Sequence, residues 1–180
     1  MKQPIVILQT SRLILRTTIE ADIRHLQQRM FTDREVMRYA LGGSPMADAD
    51  SETFIRQSFT FGPAITGMAT LIDASTEDVV GFAGLSPCDS LGAADFEIGF
   101  VLARHVWGKG LATEIGEAQL RFGFDQLGCV RLLGLVDPKN AISIRALKKL
   151  GMNYVKDVVK PGRSDRQVYN IAVDEWRKQG

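Results

Sequence analysis

The stretch His105-Val106-Trp107-Gly108-Lys109-Gly110-Leu111-Ala112-Thr113-Glu114 sets two glycines around a lysine and runs directly into a helical pattern. Successive glycines let neighbouring N–H groups point one way without interference from a Cβ. A helix N-terminus adds unpaired donors and about half a unit of positive charge. Such a segment can hold an anion, a phosphate above all, on backbone alone. The competing reading is a plain strand-to-helix turn with Trp107 packed beneath it. Two familiar nucleotide motifs do not fit: GxxxxGK[ST] does not occur, and Thr113 stands where the third glycine of GxGxxG belongs.

Other groups suit proton transfer and ligand contact. In Asp95-Phe96-Glu97-Ile98-Gly99-Phe100-Val101-Leu102, Phe96, Ile98 and Phe100 share one face of a strand and leave Glu97 on the other. A carboxylate there can accept a proton, or it is simply a solvated edge-strand group. Asn140 opens a helical segment and suits an N-cap, with Ser143 one turn on. Cys129 opens an apolar strand and reads as core, while Cys88 falls in a loop without a nearby histidine.

The chain that must position these groups has 180 residues, 45% hydrophobic and 24% charged, enough for one α/β-sized core. Lys and Arg total 22 against 21 Asp and Glu, a net charge of +1, which gives no electrostatic case for a nucleic-acid partner. Two widely separated cysteines and two histidines argue against a disulfide framework or zinc site and for a reducing cytoplasm. No apolar run approaches the roughly 20 residues of a membrane span, and the start, MKQPIVILQTSR, does not read as a signal peptide.

Residues 12–17 read as a strand, and Ile23, Leu26 and Met30 recur at helical spacing over 20–30. A short helix over 33–41 is expected to stop at Gly42-Gly43-Ser44-Pro45, and another helix spans 48–59. Residues 68–73 and 79–85 form a predicted hairpin, followed by a loop over 87–93 and a strand over 95–102. A helix over 111–127 should end at Gly128, and an almost wholly apolar strand follows over 130–136. A helix over 140–150, with Ile144, Leu147 and Leu150 inward, precedes a closing hairpin of 152–159 and 167–173 and a short tail. There are no repeats and no convincing linker, so residues 1–180 read as one domain.

The glycine turn is similar to the acetyl-CoA loop of the GNAT N-acetyltransferase superfamily, [QR]xxGxG/A at a strand-to-helix junction. With "WGKG" before "ATE" it resembles the RimJ/RimL-type branch in particular. Ser11-Arg12-Leu13-Ile14-Leu15-Arg16 looks like that branch's first strand. Asn140 to Ser143 through Lys149-Leu150-Gly151-Met152 resembles its "NxxS…KxGF" segment, and Val168 to Ile171 before Glu175-Trp176 its closing strand. Three positions depart from the pattern. His105 replaces the usual Gln or Arg, Met152 the usual Phe, and Leu147 the tyrosine that protonates the departing thiolate in many relatives.

The resemblance implies an α/β (α+β) fold: a single GNAT-like domain with a central mixed, mostly antiparallel twisted sheet and helices on both faces. It implies direct acetyl transfer from acetyl-CoA to a primary amine, with no acyl-enzyme and no metal. The pyrophosphate would lie on the N–H groups of Val106, Trp107, Gly108, Lys109, Gly110, Leu111 and Ala112, with Lys109 an optional charge partner. Phe100, Val101 and Leu102 would pair with pantetheine amides, Asn140 would contact pantetheine, Ser143 would hydrogen-bond the leaving thiolate, and Glu97 would be the general base. The acceptor expected first is a protein or peptide N-terminal α-amine, roughly 15% neutral at pH 7, whereas a lysine-type amine is below about 0.1% neutral. A small polyamine or aminoglycoside-like amine is the alternative enzyme reading, and a non-catalytic CoA-binding domain the other. Acidic Asp33, Glu35, Asp48, Asp50 and Glu52 suit a cationic acceptor, or are helix-surface charge. No membrane or nucleic-acid partner is expected, and a monomer or homodimer is.

Overall fold

A computed structural model describes residues 3–159 and 165–179. The chain begins with β1 (Val6–Gln9) and β2 (Leu13–Arg16), then α1 (Glu20–Leu26), which runs on as a π-helical turn, Gln27–Phe31. Two further helices, α2 (Arg34–Met37) and α3 (Asp48–Ser58), precede β3 (Ala69–Asp73), β4 (Val79–Cys88) and β5 (Asp95–Leu102). Next come α4 (Leu111–Arg121), prolonged by a π turn at Phe122–Gln126, then β6 (Arg131–Val136) and α5 (Ala141–Lys149). The chain closes with β7 (Asn153–Val158), β8 (Arg166–Ala172) and α6 (Val173–Arg177).

The strands form one eight-stranded sheet in the order β1-β2-β3-β4-β5-β6-β8-β7. Every neighbouring pair is antiparallel except β5 and β6. A parallel pair needs a crossover, and α4 supplies it. Apolar side chains collect in two cores. The first joins α1 to α3 and the start of α4 to β2, β3 and β4, with Phe31 stacked on Phe82 at 5.6 Å. The second gathers Leu85, Ile98, Leu120, Phe124, Leu132, Leu147 and Tyr169 around the β5–β6–β8 region.

Several boundaries differ from the sequence reading. Val6–Gln9 is a strand pairing with β2, where none was predicted. The segment expected as a loop from Pro87 is in part strand, since β4 runs to Cys88, which is buried with its Sγ 3.2 Å from the Ser90 hydroxyl. The polar tail is the short helix α6, whose Trp176 packs on Phe124 at 5.1 Å. Cys129 is half-buried against the second core, as a core reading requires, and burial pushes its thiol up. Among the described residues no helix is long and apolar enough to cross a membrane, and no His, Cys, Asp and Glu cluster is placed to hold a metal.

Candidate active site

The site is built on an incomplete strand pairing. The parallel ladder between β5 and β6 is confined to Phe96 with Leu132 and Glu97 with Leu133. At its closed end, Arg131 donates from Nε and Nη2 to the two oxygens of Asp95, at 2.8 and 2.7 Å. Past Glu97 the two strands lose register, and β5 continues to Leu102 paired only with β4. Ile98 to Leu102 therefore present an edge inside the sheet. Helices α4 and α5 both begin beyond the open end, after β5 and β6 respectively, so their N-termini face the crevice that parallel strands leave at their carboxyl ends.

The turn before α4 carries the donors. Ala103 and Arg104 start a 3-10 turn in which the N–H groups of Val106 and Trp107 donate to Ala103 O and Arg104 O, both at 3.1 Å. Those two amides, expected to face a phosphate, are thus already satisfied. From Gly108 to Ala112 no N–H donates to another described residue. Gly108 and Gly110 have φ of 75° and 78°, the left-handed region that glycine alone enters without strain. A Cβ built on Gly108 would meet nothing within 4 Å, so open space lies before this backbone. A row of undonated N–H groups before open space has the chemistry to hold an anion such as a pyrophosphate.

Trp107 is not packed beneath the turn. It is 42% exposed, and its indole N–H donates to Leu102 O at 2.8 Å. That bond takes up the Leu102 carbonyl expected to face pantetheine, and it fixes the turn to the end of β5. Phe100 and Val101, half-buried, remain on the unpaired stretch.

Arg12 holds the turn from the other side. From the β1–β2 turn its Nε donates to Glu114 Oε2 at 2.6 Å, and its Nη1 to Lys109 O at 2.9 Å. Glu114, in the first turn of α4, also accepts from the Thr10 hydroxyl at 2.5 Å and the Arg12 N–H at 3.1 Å. Burial pushes the Glu114 carboxyl up, but the hydrogen bonds from Thr10 and Arg12 and the adjacent guanidinium outweigh it and hold it below its ordinary range. The sequence reading gave neither residue a role. The signals were Arg12 within the first-strand resemblance and Glu114 as the last residue of "ATE".

Glu97 is the last residue of the closed ladder, half-buried, opposite Ser86 on one side and Leu133 on the other. It stands at the fork where the strands part. Asn140 caps α5, its side-chain oxygen accepting from Ser143 N at 3.1 Å, and Ser143 is half-buried. Leu147 is 4% exposed in the second core, with its Cδ2 2.8 Å from where a Gly134 Cβ would be. It belongs to the packing, and residue 147 has no proton to give. Beside the open end, Arg166 and Asp137 form a buried ion pair at 3.1 Å. Of the predicted loop at 161–166, residues 161–164 lie outside the described residues.

Residues 12–153 match the family described as "Acetyltransferase (GNAT) domain". This chain belongs to that family. Its relatives include the uncharacterized Bacillus subtilis protein YkkB, 30% identical over 91% of this chain and 96% of that protein. The uncharacterized N-acetyltransferase p20 of Bacillus licheniformis is 32% identical over 79% of this chain and 80% of its own length. Among solved structures, a GNAT-family acetyltransferase from Bacillus anthracis superposes with a TM-score of 0.76 at 24% identity, covering 92% of this chain and 97% of the other. Spermidine N-acetyltransferase from Vibrio cholerae, solved with CoA and spermine, gives 0.74 at 18% identity over 93% and 99%. The GNAT membership implies acetyl-CoA-dependent acetyl transfer.

Proposed function

We propose that this protein acetylates the α-amino group of a protein or peptide N-terminus, in the manner of the RimJ/RimL-type branch, with Glu97 as the base. The observation that carries the reading is the row of unspent N–H groups from Gly108 to Ala112 at the open end of the β5–β6 split. Those amides and the α4 N-terminus hold the pyrophosphate. The unpaired edge at Phe100 and Val101 takes the pantetheine amides as a further strand would. From Leu102 back to Glu97 the strand advances about 17 Å, which brings the end of an extended arm to the fork.

When bound, acetyl-CoA supplies an activated acetyl carbonyl as a thioester. The acceptor arrives as an ammonium, which has no lone pair to attack. Glu97 takes one proton from it. The N–C bond then forms as the C–S bond breaks, the nitrogen's second proton passes to the departing thiolate, and Glu97 returns the first to solvent. With Leu147 packed away, Ser143 is the group that hydrogen-bonds this sulfur, while Asn140 orients Ser143 by capping its helix.

An α-amine is favoured for two reasons. It needs the least help to shed its proton. Of the acidic residues that suit a cationic acceptor, Asp33 pairs with Arg104 at 3.3 Å, Glu35 with Arg38 at 3.7 Å, and Glu52 shares Arg56 with Glu20, at 2.8 and 2.9 Å. Free thiols at Cys88 and Cys129 suit a reducing cytoplasm. The test is mass spectrometry of products from a peptide with a free N-terminus, its Nα-blocked lysine form, and spermidine. Acetyl on the free N-terminus is expected. Acetyl on spermidine alone would replace the acceptor, and acetyl on none of the three would leave a CoA-binding domain without turnover.

A further inference from the structure

We infer that Arg12, far from the reacting atoms, is a positioning residue that aims the Gly110 N–H at the donor's pyrophosphate and cancels the charge of Glu114. The inference rests on the reading of acetyl-CoA as donor.

The geometry is that of a single peptide plane. In a trans peptide the C=O and the following N–H point in opposite directions. Arg12 Nη1 holds Lys109 O at 2.9 Å, so the Gly110 N–H, which donates to no described residue, is turned to the side of the peptide plane away from Arg12. With φ of 78°, Gly110 has other backbone conformations within reach, and nothing else described holds this peptide. Arg12 Nη2 lies 3.7 Å from where a Gly110 Cβ would be, so the guanidinium is seated directly against the turn.

The second effect is electrostatic. A carboxylate in the first turn stabilises a helix but competes with a bound anion for the same positive end. Glu114 is such a carboxylate, only 15% exposed, and Arg12 covers it from Nε and Nη2. Thr10 and the Arg12 N–H complete its hydrogen bonds. The pair thus anchors the turn without leaving a bare negative charge beside the phosphate site. Lysine does not replace arginine here, because one ammonium cannot reach the carboxylate and the Lys109 carbonyl with a rigid fork.

The test is calorimetric titration of the full chain with CoA, together with the Gly110 amide resonance in a glycine-labelled sample. Arg12→Ala should weaken CoA binding roughly 10–100-fold, as expected for loss of a charge-assisted hydrogen bond. Arg12→Lys should recover only part of this. The double variant Arg12→Ala with Glu114→Gln should bind CoA better than Arg12→Ala alone, because the uncovered charge is gone. In the parent the Gly110 amide should shift strongly on CoA addition, and in Arg12→Ala it should not. Should Arg12→Ala fail to fold, Arg12→Gln carries the same expectations. Binding within twofold of the parent, or an unchanged Gly110 response, overturns the inference. So does a double variant that binds no better than Arg12→Ala. A parent chain that binds no CoA instead removes the donor reading itself.

Discussion

Glu97 is a carboxylate at the point where two strands part, and its proposed work depends on the acceptor's protonation. Glu97→Gln keeps the size and removes the base. It should lower kcat about 10²–10⁴-fold near neutrality while CoA affinity stays within a few-fold. As pH rises toward the acceptor's own pKa the free amine forms unaided, so the gap between variant and parent should narrow. A pH–rate profile of both proteins checks this, and parallel profiles would remove Glu97 from the mechanism. Glu114 titrates with the opposite concern. Its folded pKa lies below the ordinary value, so its contribution to stability is complete above about 4.5 and lost as pH falls through the lowered folded value. Melting temperatures of the parent and Glu114→Gln should differ most above pH 5 and converge in stronger acid.

Among elements, β2 and α1 are joined by a bidentate pair, Arg16 to Asp22 at 2.7 and 2.8 Å, with both side chains nearly buried. Asp22 also accepts from Ile19 N at 2.9 Å at the start of α1. Asp22→Ala leaves a buried guanidinium without its partner and should cost about 3–5 kcal/mol, measured by urea unfolding. The types of most elements were legible because their periods are strong: Ile23 and Leu26 mark a helix and Phe96, Ile98 and Phe100 a strand. The exceptions have physical causes. β1 is four residues long with an exposed–intermediate burial pattern, too short to show alternation. Pro87 reads as a loop because it cannot donate to a ladder, yet β4 outruns β3, whose first residue Ala69 pairs with Ala83. Past Leu85, whose carbonyl still accepts from Gly67 N at 2.7 Å, the described residues leave β4 as an edge on that side, and an edge tolerates proline.

For the whole molecule, the fold was legible from an ensemble of short matches spread along the chain, while the site's supports were not. Arg12 and Glu114 are 102 residues apart, and only the sheet order brings the β1–β2 turn to the start of α4. The glycines were legible because their position implies backbone geometry; the arginine was not, because its partner depends on topology. Ligand binding tests the assembled whole. CoA at a hundredfold excess over Kd should stabilise the parent by about 2.7 kcal/mol. That corresponds to a rise of roughly 5–11 °C in Tm for a domain of this size. Gly108→Val or Gly110→Val, each forced into a left-handed φ and each obstructing the donor row, should abolish most of that rise. A full rise in either variant would move the phosphate site elsewhere.

The split between β5 and β6 has a kinetic signature in the free protein. Amides in the middle of an eight-stranded sheet are ordinarily the slowest in a molecule to trade their protons with solvent, because exposing them requires global unfolding. Residues 98–102 lie at the centre of the strand order, yet their side toward β6 lacks a ladder. Deuterium should therefore enter this stretch far sooner than it enters β3 or β8, in a pattern more like a surface strand. Addition of CoA should close the difference, for a bound pantetheine arm would serve as the missing neighbour. The sheet is in that sense left unfinished by the chain, and under the proposed reading a bound donor would complete β5.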